Sequence, residues 1–421
     1  MSGVILFSSP LCRELIAPYG ENNYYSSENA ANAVSSAMGA CIAGRASVAA
    51  ISTAELSEAG ACINSAFLSG TYGGLVLAVC SHEGMTPAIS DFFSEICLSV
   101  LTPSKNDDLK SYFVSALEIS GKSLSPVVIV VKDTFPDFSE ITGFEPKKYR
   151  KNPERFVIEP LNYKNLADEV RIRLTNTDNE IKEKSLSATV LSGEISYDTK
   201  FIQEEMCVGC PYRGVFFALS KLWLRAVSDS GCTALGSKAP LLAIDIAQNI
   251  GSSPAVLRGF LLGLGEKERK NTVGLIDIAG LKSGGLTGLF ELSSDNLPAT
   301  VIILDNGTFR FDYLPELEKL SHERLSFAEP FDVDNLELEL KSALISPGLS
   351  IIVCKRDCVK LGTLPEDRVF TIDKNRCKGC KACGRLGCPA ILPERRPSIL
   401  PDVCVGCTLC QSVCKCSAVL S

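Results

Sequence analysis

The sequence predicts an α/β protein, with two successive doubly wound parallel-sheet domains followed by a small α+β module rich in cysteine. Three observations carry that expectation. Short apolar runs bounded by Gly, Ser or Pro alternate with helical patterns over residues 1–135, as buried parallel strands and their covering helices should. The same alternation returns over 201–364, and strand–helix alternation marks a doubly wound layer. From 365 to 421 the chain changes again, to two runs of cysteines at fixed spacing. A chain of 421 residues has the length for two or three such domains.

In the first layer, Val4–Phe7, Val48–Ser52, Leu75–Val79 and Val127–Val131 are the expected strands. Ser27–Ala43 and Ala54–Leu68, rich in Ala, Ser and Gly, are the expected helices. Their small side chains allow close packing on the sheet or on a partner. Residues 136–200 change character. A basic, Pro-containing segment, Phe144–Arg155, leads into a charged helix over about Asn165–Lys184, which reads as a surface connector.

In the second layer, Leu241–Ile246, Val273–Ile278, Thr300–Leu304 and Ser350–Cys354 read as strands, with helices near Val215–Val227, Ala255–Leu264 and Leu336–Leu344. Its turns hold the polar residues: Cys207-Val-Gly-Cys210-Pro-Tyr-Arg213-Gly214, Asp229-Ser-Gly-Cys232, Asp277 and Asn306. Ligands of such sheets sit beyond the carboxyl ends of the strands. Asp277 and Asn306 both fall there, which suits a divalent metal on a diphosphate. Strand-end Asp and Asn also serve as caps and turn residues.

The C-terminal module is the strongest signal. Cys377, Cys380 and Cys383, trailed by Cys388, and Cys404, Cys407 and Cys410, trailed by Cys414, have the spacing of a two-cluster ferredoxin. Three thiolates of each run turn onto one cubane and the fourth reaches across to the other. Cys377, Cys380, Cys383 and Cys414 therefore take one [4Fe–4S] cluster, and Cys404, Cys407, Cys410 and Cys388 the second. Disulfides do not favour such triplets, and structural zinc favours C-x2-C pairs. Between Thr371 and Ser421 eight basic residues face three acidic ones, a surplus that two oxidised clusters of about −2 each nearly neutralise. Nucleic-acid binding is the other reading of a basic run. It is not expected of a chain whose net charge is −7.

No apolar run approaches the ~18–20 residues of a membrane span, and the N-terminus lacks the basic start and cleavage site of a signal peptide. Nineteen cysteines without an export signal imply reduced thiols and the cytoplasm.

Taken together, the two layers, the Cys207–Gly214 turn, Asp229-x-Gly-Cys232, Asp277, Leu304-Asp-Asn306 and the cysteine module resemble the α subunit of indolepyruvate:ferredoxin oxidoreductase. The likeness includes Gly39–Gly44, Gly84-Met85, Asn152–Val157 and Cys377–Ile391. It implies thiamine-diphosphate-type domains: pyrimidine-binding over 1–135, diphosphate-binding over 201–364, a connector over 136–200 and a ferredoxin domain over 365–421. It also implies thiamine diphosphate (TPP) with Mg2+, lined by Cys210, Arg213, Asp229, Cys232, Asp277 and Asn306. A homodimer, a second γ-type subunit, and ferredoxin or another redox protein as electron acceptor complete the implied enzyme. Its reaction would be oxidative decarboxylation of an aryl 2-oxo acid.

The departures fall on the catalytic side. Where the family has a further domain of ~100 residues or more between connector and diphosphate domain, only about forty residues remain here. Ile276-Asp277-Ile278 replaces Gly-Asp-Ser, Gly307 replaces a hydroxyl residue, and Tyr212 stands for a histidine. The glutamate that activates TPP would fall at Ala30, with Glu28 two residues earlier, roughly 200° round a helix. Glu28 is the candidate catalytic carboxylate, or a first-turn acid favoured by the helix dipole. Two functions stay open: a 2-oxoacid ferredoxin oxidoreductase subunit, or a catalytically silent relative that scaffolds a complex and conducts electrons.

Overall fold

A computed structural model describes residues 3–16, 23–81, 86–132, 134–158, 163–189, 205–362 and 369–421. Its contacts divide into two units. One holds 1–200, 252–266 and 287–292; the other holds 201–251, 267–286 and 293–421. Gly84 and Met85, which are part of the likeness, lie outside the described residues, as does His82, one of the chain's two histidines.

The first unit is built on a seven-stranded sheet. Its strands are β1 (Ile5–Ser8), β2 (Tyr24–Ser26), β3 (Ser47–Ser52), β4 (Leu75–Cys80), β5 (Val100–Leu101), β6 (Val127–Val131) and β7 (Ala188–Thr189). They lie in the order β2-β1-β3-β4-β6-β5-β7, all parallel except β7, which runs antiparallel to β5. The central strands read LVLAVC and VVIVV and are buried throughout, as strands covered on both faces must be.

The Ala30–Ile42 helix starts where Asn29 Oδ1 accepts from Asn32 N–H at 2.7 Å, and nearly every residue in it is buried. Its small-residue face packs against the chain's own Ser253–Gly263 helix. A side chain on Gly39 would put Cβ 2.0 Å from Val256 O, and one on Gly259 would reach 1.7 Å from Ser36 O. The close packing expected of this helix is therefore satisfied inside the unit, so its composition is no argument for a dimer.

The connector is more than a solvated spacer. Its helix, Tyr163–Glu183, sends Arg173 to Leu68 O at 2.6 Å and Leu124 O at 3.2 Å. Arg155 donates to Ser69 O at 2.8 Å and Thr71 O at 3.0 Å. Both arginines are nearly buried. They satisfy carbonyls left open at helix ends, a use that their charged neighbourhood in sequence does not reveal.

The second unit has a six-stranded parallel sheet of β8 (Arg225–Asp229), β9 (Ile246–Gln248), β10 (Thr272–Asp277), β11 (Ala299–Asp305), β12 (Leu325–Ala328) and β13 (Leu349–Lys355). Their order is β12-β13-β11-β10-β8-β9. Read from the other edge and ranked by chain position, this matches the order of the first six strands of the other sheet. Each sheet thus reverses direction beside its own first strand, at β1/β3 and at β8/β10. That switch point is where doubly wound sheets open a ligand crevice.

Two expectations shift here. The helix expected over Val215–Val227 is Tyr212–Lys221, and Trp223, at φ 56°, ends it in left-handed backbone before β8 begins. The strand expected at Leu241–Ile246 is only reached at Ile246. In the same unit the cysteine module adds two small antiparallel pairs, Thr371–Ile372 with Val419–Leu420 and Ile391–Leu392 with Ser398–Ile399. Phe370, Leu386 and Leu409 are buried in it.

Candidate functional site at the carboxyl edge of the second sheet

The switch point of the second sheet places Asp229 at the end of β8 and Asp277 at the end of β10. Asp229 is 1% exposed. Its Oδ2 accepts from Gly251 N–H at 2.7 Å and lies 2.1 Å from where a Cβ on Gly280 would stand. This carboxylate is a strut between two turns. Asp277 Oδ1 accepts from Gly280 N–H at 2.8 Å and caps the short Ile278–Gly280 helix. Burial raises the carboxyl of Asp277 above the usual carboxylate range.

Next to it, the phenol of buried Tyr212 accepts from Asn306 Nδ2 at 2.7 Å. Asn306 Oδ1 accepts from Thr308 N–H at 3.1 Å and from its hydroxyl at 2.5 Å, closing its own turn. Ile276, where the resemblance expects glycine, fills the space over the following turn. A Cβ on Gly285 would meet its Cδ1 at 2.2 Å.

Four thiols gather at the same edge. Cys207 and Cys210 lie on the turn before the Tyr212–Lys221 helix, with Cys210 N–H donating to Cys207 O at 3.2 Å. Cys232 follows β8. Cys358 follows β13, its N–H donating to Asn306 O at 2.7 Å. Burial pushes the Cys210 thiol up to about 12, with the neighbouring Cys232 and Cys207 adding to the rise. Cys232 is raised by burial, then by Asp277, Cys207 and Cys358. Tyr212 is raised by burial, then by Asp277, Cys210, Cys232 and Cys358. Cys207 and Cys358 were missed as site residues. The C-x2-C pair was a visible signal; Cys358, far along the chain, had none.

This donor set tests what the site can hold. Mg2+ wants hard oxygen ligands. Here Asn306 turns its oxygen into its own loop and Ile276 fills the room a glycine would leave, so the oxygen cage for a metal–diphosphate is poorly made. Thiolates suit iron–sulfur. Among the described residues no three His, Cys, Asp or Glu side chains close on a single ion, but a cubane holds its four thiolates farther apart than one ion does.

Arg213 carries the arrangement into the cysteine module. It is 3% exposed. Nη1 donates to Leu386 O at 2.8 Å and Gly387 O at 2.6 Å, and Nη2 to Met206 O and Cys207 O, both at 3.0 Å. The Cys207 turn is thereby stapled to the loop that carries Cys388.

Within the module several cysteines lie near enough to act on one another's charge. Cys383 feels the charges of Cys414 and Cys380; Cys407 feels Cys388 and Cys404; Cys410 feels Cys407, Cys388 and Cys404 and also Cys383. Cys377, three residues before Cys380, is buried. The cavity at Cys388, Cys404, Cys407 and Cys410 is also lined by Val208 and Gly209, the middle of the Cys207–Cys210 turn. Cys416 stands with Sγ 3.7 Å from Cys414 Sγ.

In the first unit, Glu28 is exposed, and Ala30, at the register of the family glutamate, is fully buried. The buried carboxylate at the start of that helix is Glu291, which sequence reasoning missed. Its Oε1 accepts from Glu28 N–H at 2.7 Å and Asn32 Nδ2 at 2.9 Å, and its Oε2 pairs with Arg258 Nη1 at 2.9 Å. Arg258, 1% exposed, also donates to Ser27 Oγ and Ser26 O.

No family model matches the chain. Curated proteins named indolepyruvate oxidoreductase subunit IorA do. That of Pyrococcus horikoshii is 28% identical over 271 residues, covering 52% of this chain and 42% of the relative. That of Methanothermobacter thermautotrophicus is 25% identical over 246 residues, covering 51% and 39%. The alpha 1 subunit of an acetyl-CoA decarbonylase/synthase complex from Methanosarcina barkeri is 30% identical over 153 residues, 27% of this chain and 19% of that one. The chain thus spans less than half the length of the curated relatives it matches.

Among solved structures, the thiamine diphosphate-dependent 4-hydroxybenzoylformate decarboxylase of Rhodococcus jostii RHA1 superposes with a TM-score of 0.55 at 12% identity, over 84% of this chain and 96% of that one. Benzoylformate decarboxylase of Polynucleobacter necessarius does so with a TM-score of 0.52 at 11% identity, with the same coverage. These likenesses show the fold, two parallel-sheet layers of thiamine-diphosphate type. The IorA relatives carry the family name that the motifs suggested.

Proposed function

We propose that this chain, a relative of the IorA subunits, is an iron–sulfur electron-transfer subunit of a 2-oxoacid oxidoreductase-type complex. One observation carries the reading. At the switch point, where the fold would seat a metal–diphosphate, four thiols converge and the oxygen donors are tied into turns. Cys207, Cys210, Cys232 and Cys358 would hold one [4Fe–4S] cluster. The module's two sets, Cys377, Cys380, Cys383 and Cys414, and Cys388, Cys404, Cys407 and Cys410, would hold two more. Such clusters supply one-electron carriers. The chain's own work is to hold them in series, with Arg213 fastening the turn of the first to the loop of the next and apolar walls excluding water.

Catalysis on TPP and Mg2+ is the second reading. It is favoured by Asp229 and Asp277 at the switch point of a sheet of this fold type, and it would use an aryl 2-oxo acid as substrate, with ferredoxin as acceptor. Glu28, exposed and outside the helix, is poorly placed for it.

Anaerobically prepared protein should carry about twelve irons per chain on the first reading, and Cys232→Ser about eight, at four per cubane. Wild type with about eight and an unchanged variant would remove the third cluster. A melting temperature raised by TPP with Mg2+, about 2.7 kcal/mol of stabilisation at 100 times the dissociation constant, together with cluster reduction by an aryl 2-oxo acid, would favour the decarboxylase instead.

A further inference from the structure

We infer that electrons leave this protein at the Cys377–Cys380–Cys383–Cys414 end of the module, to an acidic electron-carrier protein docked on the face formed by Lys374, Lys378, Arg395 and Arg396. The inference rests on the electron-transfer reading and adds a direction and a surface to it.

The two cysteine sets have different surroundings. The set with Cys388 faces inward within its unit. Its cavity shares Val208 and Gly209 with the Cys207 turn, Arg213 ties its loop down, and Leu409 packs where a side chain on Gly214 would stand. The other set reaches the surface. Cys380 is exposed, and so are Lys378 and Lys381 on either side of it.

Beside Cys380 opens a cleft of about 640 Å3 lined by Lys374, Lys378, Gly379, Glu394, Arg395 and Arg396, four cations against one carboxylate. The cleft is braced. Lys374 Nζ donates to Arg396 O at 2.7 Å and Pro397 O at 3.1 Å, and Arg396 Nη1 returns a bond to Lys374 O at 3.0 Å.

This positive face belongs to a chain of net charge −7. An acidic protein is repelled by the molecule as a whole and least of all here, where four surface cations outweigh one carboxylate and the about −2 of an oxidised cluster behind Cys380, which orients the encounter. Orientation is what electron transfer needs, since it brings the carrier's centre toward the exposed cysteine. Each encounter moves one electron. The group that Cys377, Cys380, Cys383 and Cys414 would hold would supply that electron and the carrier would take it up, with no bond changed and no proton moved.

The test is a titration of the anaerobically prepared full chain with an oxidised, small acidic ferredoxin, at low salt and at roughly 0.15 M, where the screening length is about 8 Å. The wild type should bind at low salt and weaken as salt rises. Lys378→Glu with Arg395→Glu should bind at least about tenfold more weakly. Arg395→Glu alone serves if the double variant fails to load iron. Unchanged affinity in a loaded variant, or wild-type binding indifferent to salt, overturns the docking face. Tighter binding of a single-stranded oligonucleotide at this face overturns it in favour of nucleic acid. Absence of dithionite-reducible clusters in the wild type instead overturns the electron-transfer reading, whatever the binding.

Discussion

Asp277 shows how a single carboxylate reports what occupies its site. Burial raises its pKa, so the folded chain keeps that proton to higher pH than the unfolded chain does. Stability contributed here therefore falls as pH rises from about 3.9, the unfolded value, through the raised one. Asp277→Asn keeps the oxygen that caps Gly280 and removes the charge. With no cation beside it, the variant should melt higher than wild type at neutral pH and equally below about pH 3.9. A lower melting temperature in the variant when Mg2+ and TPP are present would mean that the carboxylate holds a metal. The Glu291–Arg258 pair has the opposite character. Both charges are almost fully buried, each matched by the other and by neighbouring hydrogen bonds, so removing either partner would strand an uncompensated charge in the interior.

Among the elements, the pairing of the Ala30–Ile42 and Ser253–Gly263 helices depends most on small residues. At Gly259 a methyl group would stand 1.7 Å from Ser36 O. Backbone cannot yield there as a flexible side chain could. Gly259→Ala should separate the helices and lower stability by about 1–3 kcal/mol. Gly60, inside the Leu56–Ser69 helix, is the control. Its added Cβ would meet only Phe92 Cζ, at 3.7 Å, so Gly60→Ala should stabilise by about 0.4–1 kcal/mol. Urea midpoints of the two variants should move in opposite directions, and a similar loss in both would mean that the helices are not packed through Gly259.

At the scale of the molecule, the cysteine module is part of the second unit rather than an appendage. Arg213 makes its four donations to carbonyls on both sides, and Lys415 meets Asp334 at 2.6 Å. The second contact is exposed on both sides and contributes little; the first is buried. Arg213→Met leaves buried carbonyls without donors and should cost at least about 2 kcal/mol. On heating, the visible absorbance of the clusters should disappear at a lower temperature than in wild type. Lys415→Ala should leave that temperature nearly unchanged. If the two variants behave alike, the staple is not what holds the module in place.

The sequence by itself determined the parts in which chemistry is encoded over a few bonds. Each C-x2-C-x2-C run lies within one short loop, so its spacing is visible without a fold. The buried central strands β4, β6, β10, β11 and β13 are largely apolar runs bounded by turn residues, a pattern that suits a sheet covered on both faces. Only the tertiary structure decided the short members. β2, β5, β7 and β12 are two to four residues long and carry no periodicity of their own; they exist because a neighbouring strand offers hydrogen bonds. The same holds at the site. Glu291 meets Asn32 across 259 positions, and Cys358 comes beside Cys232 only because β13 and β8 end at one edge of one sheet. Asn306 and Asp277 were legible as strand-end residues. Whether their oxygens face a cation or close a turn depends on side-chain rotamers, and the packed structure turns Asn306 inward.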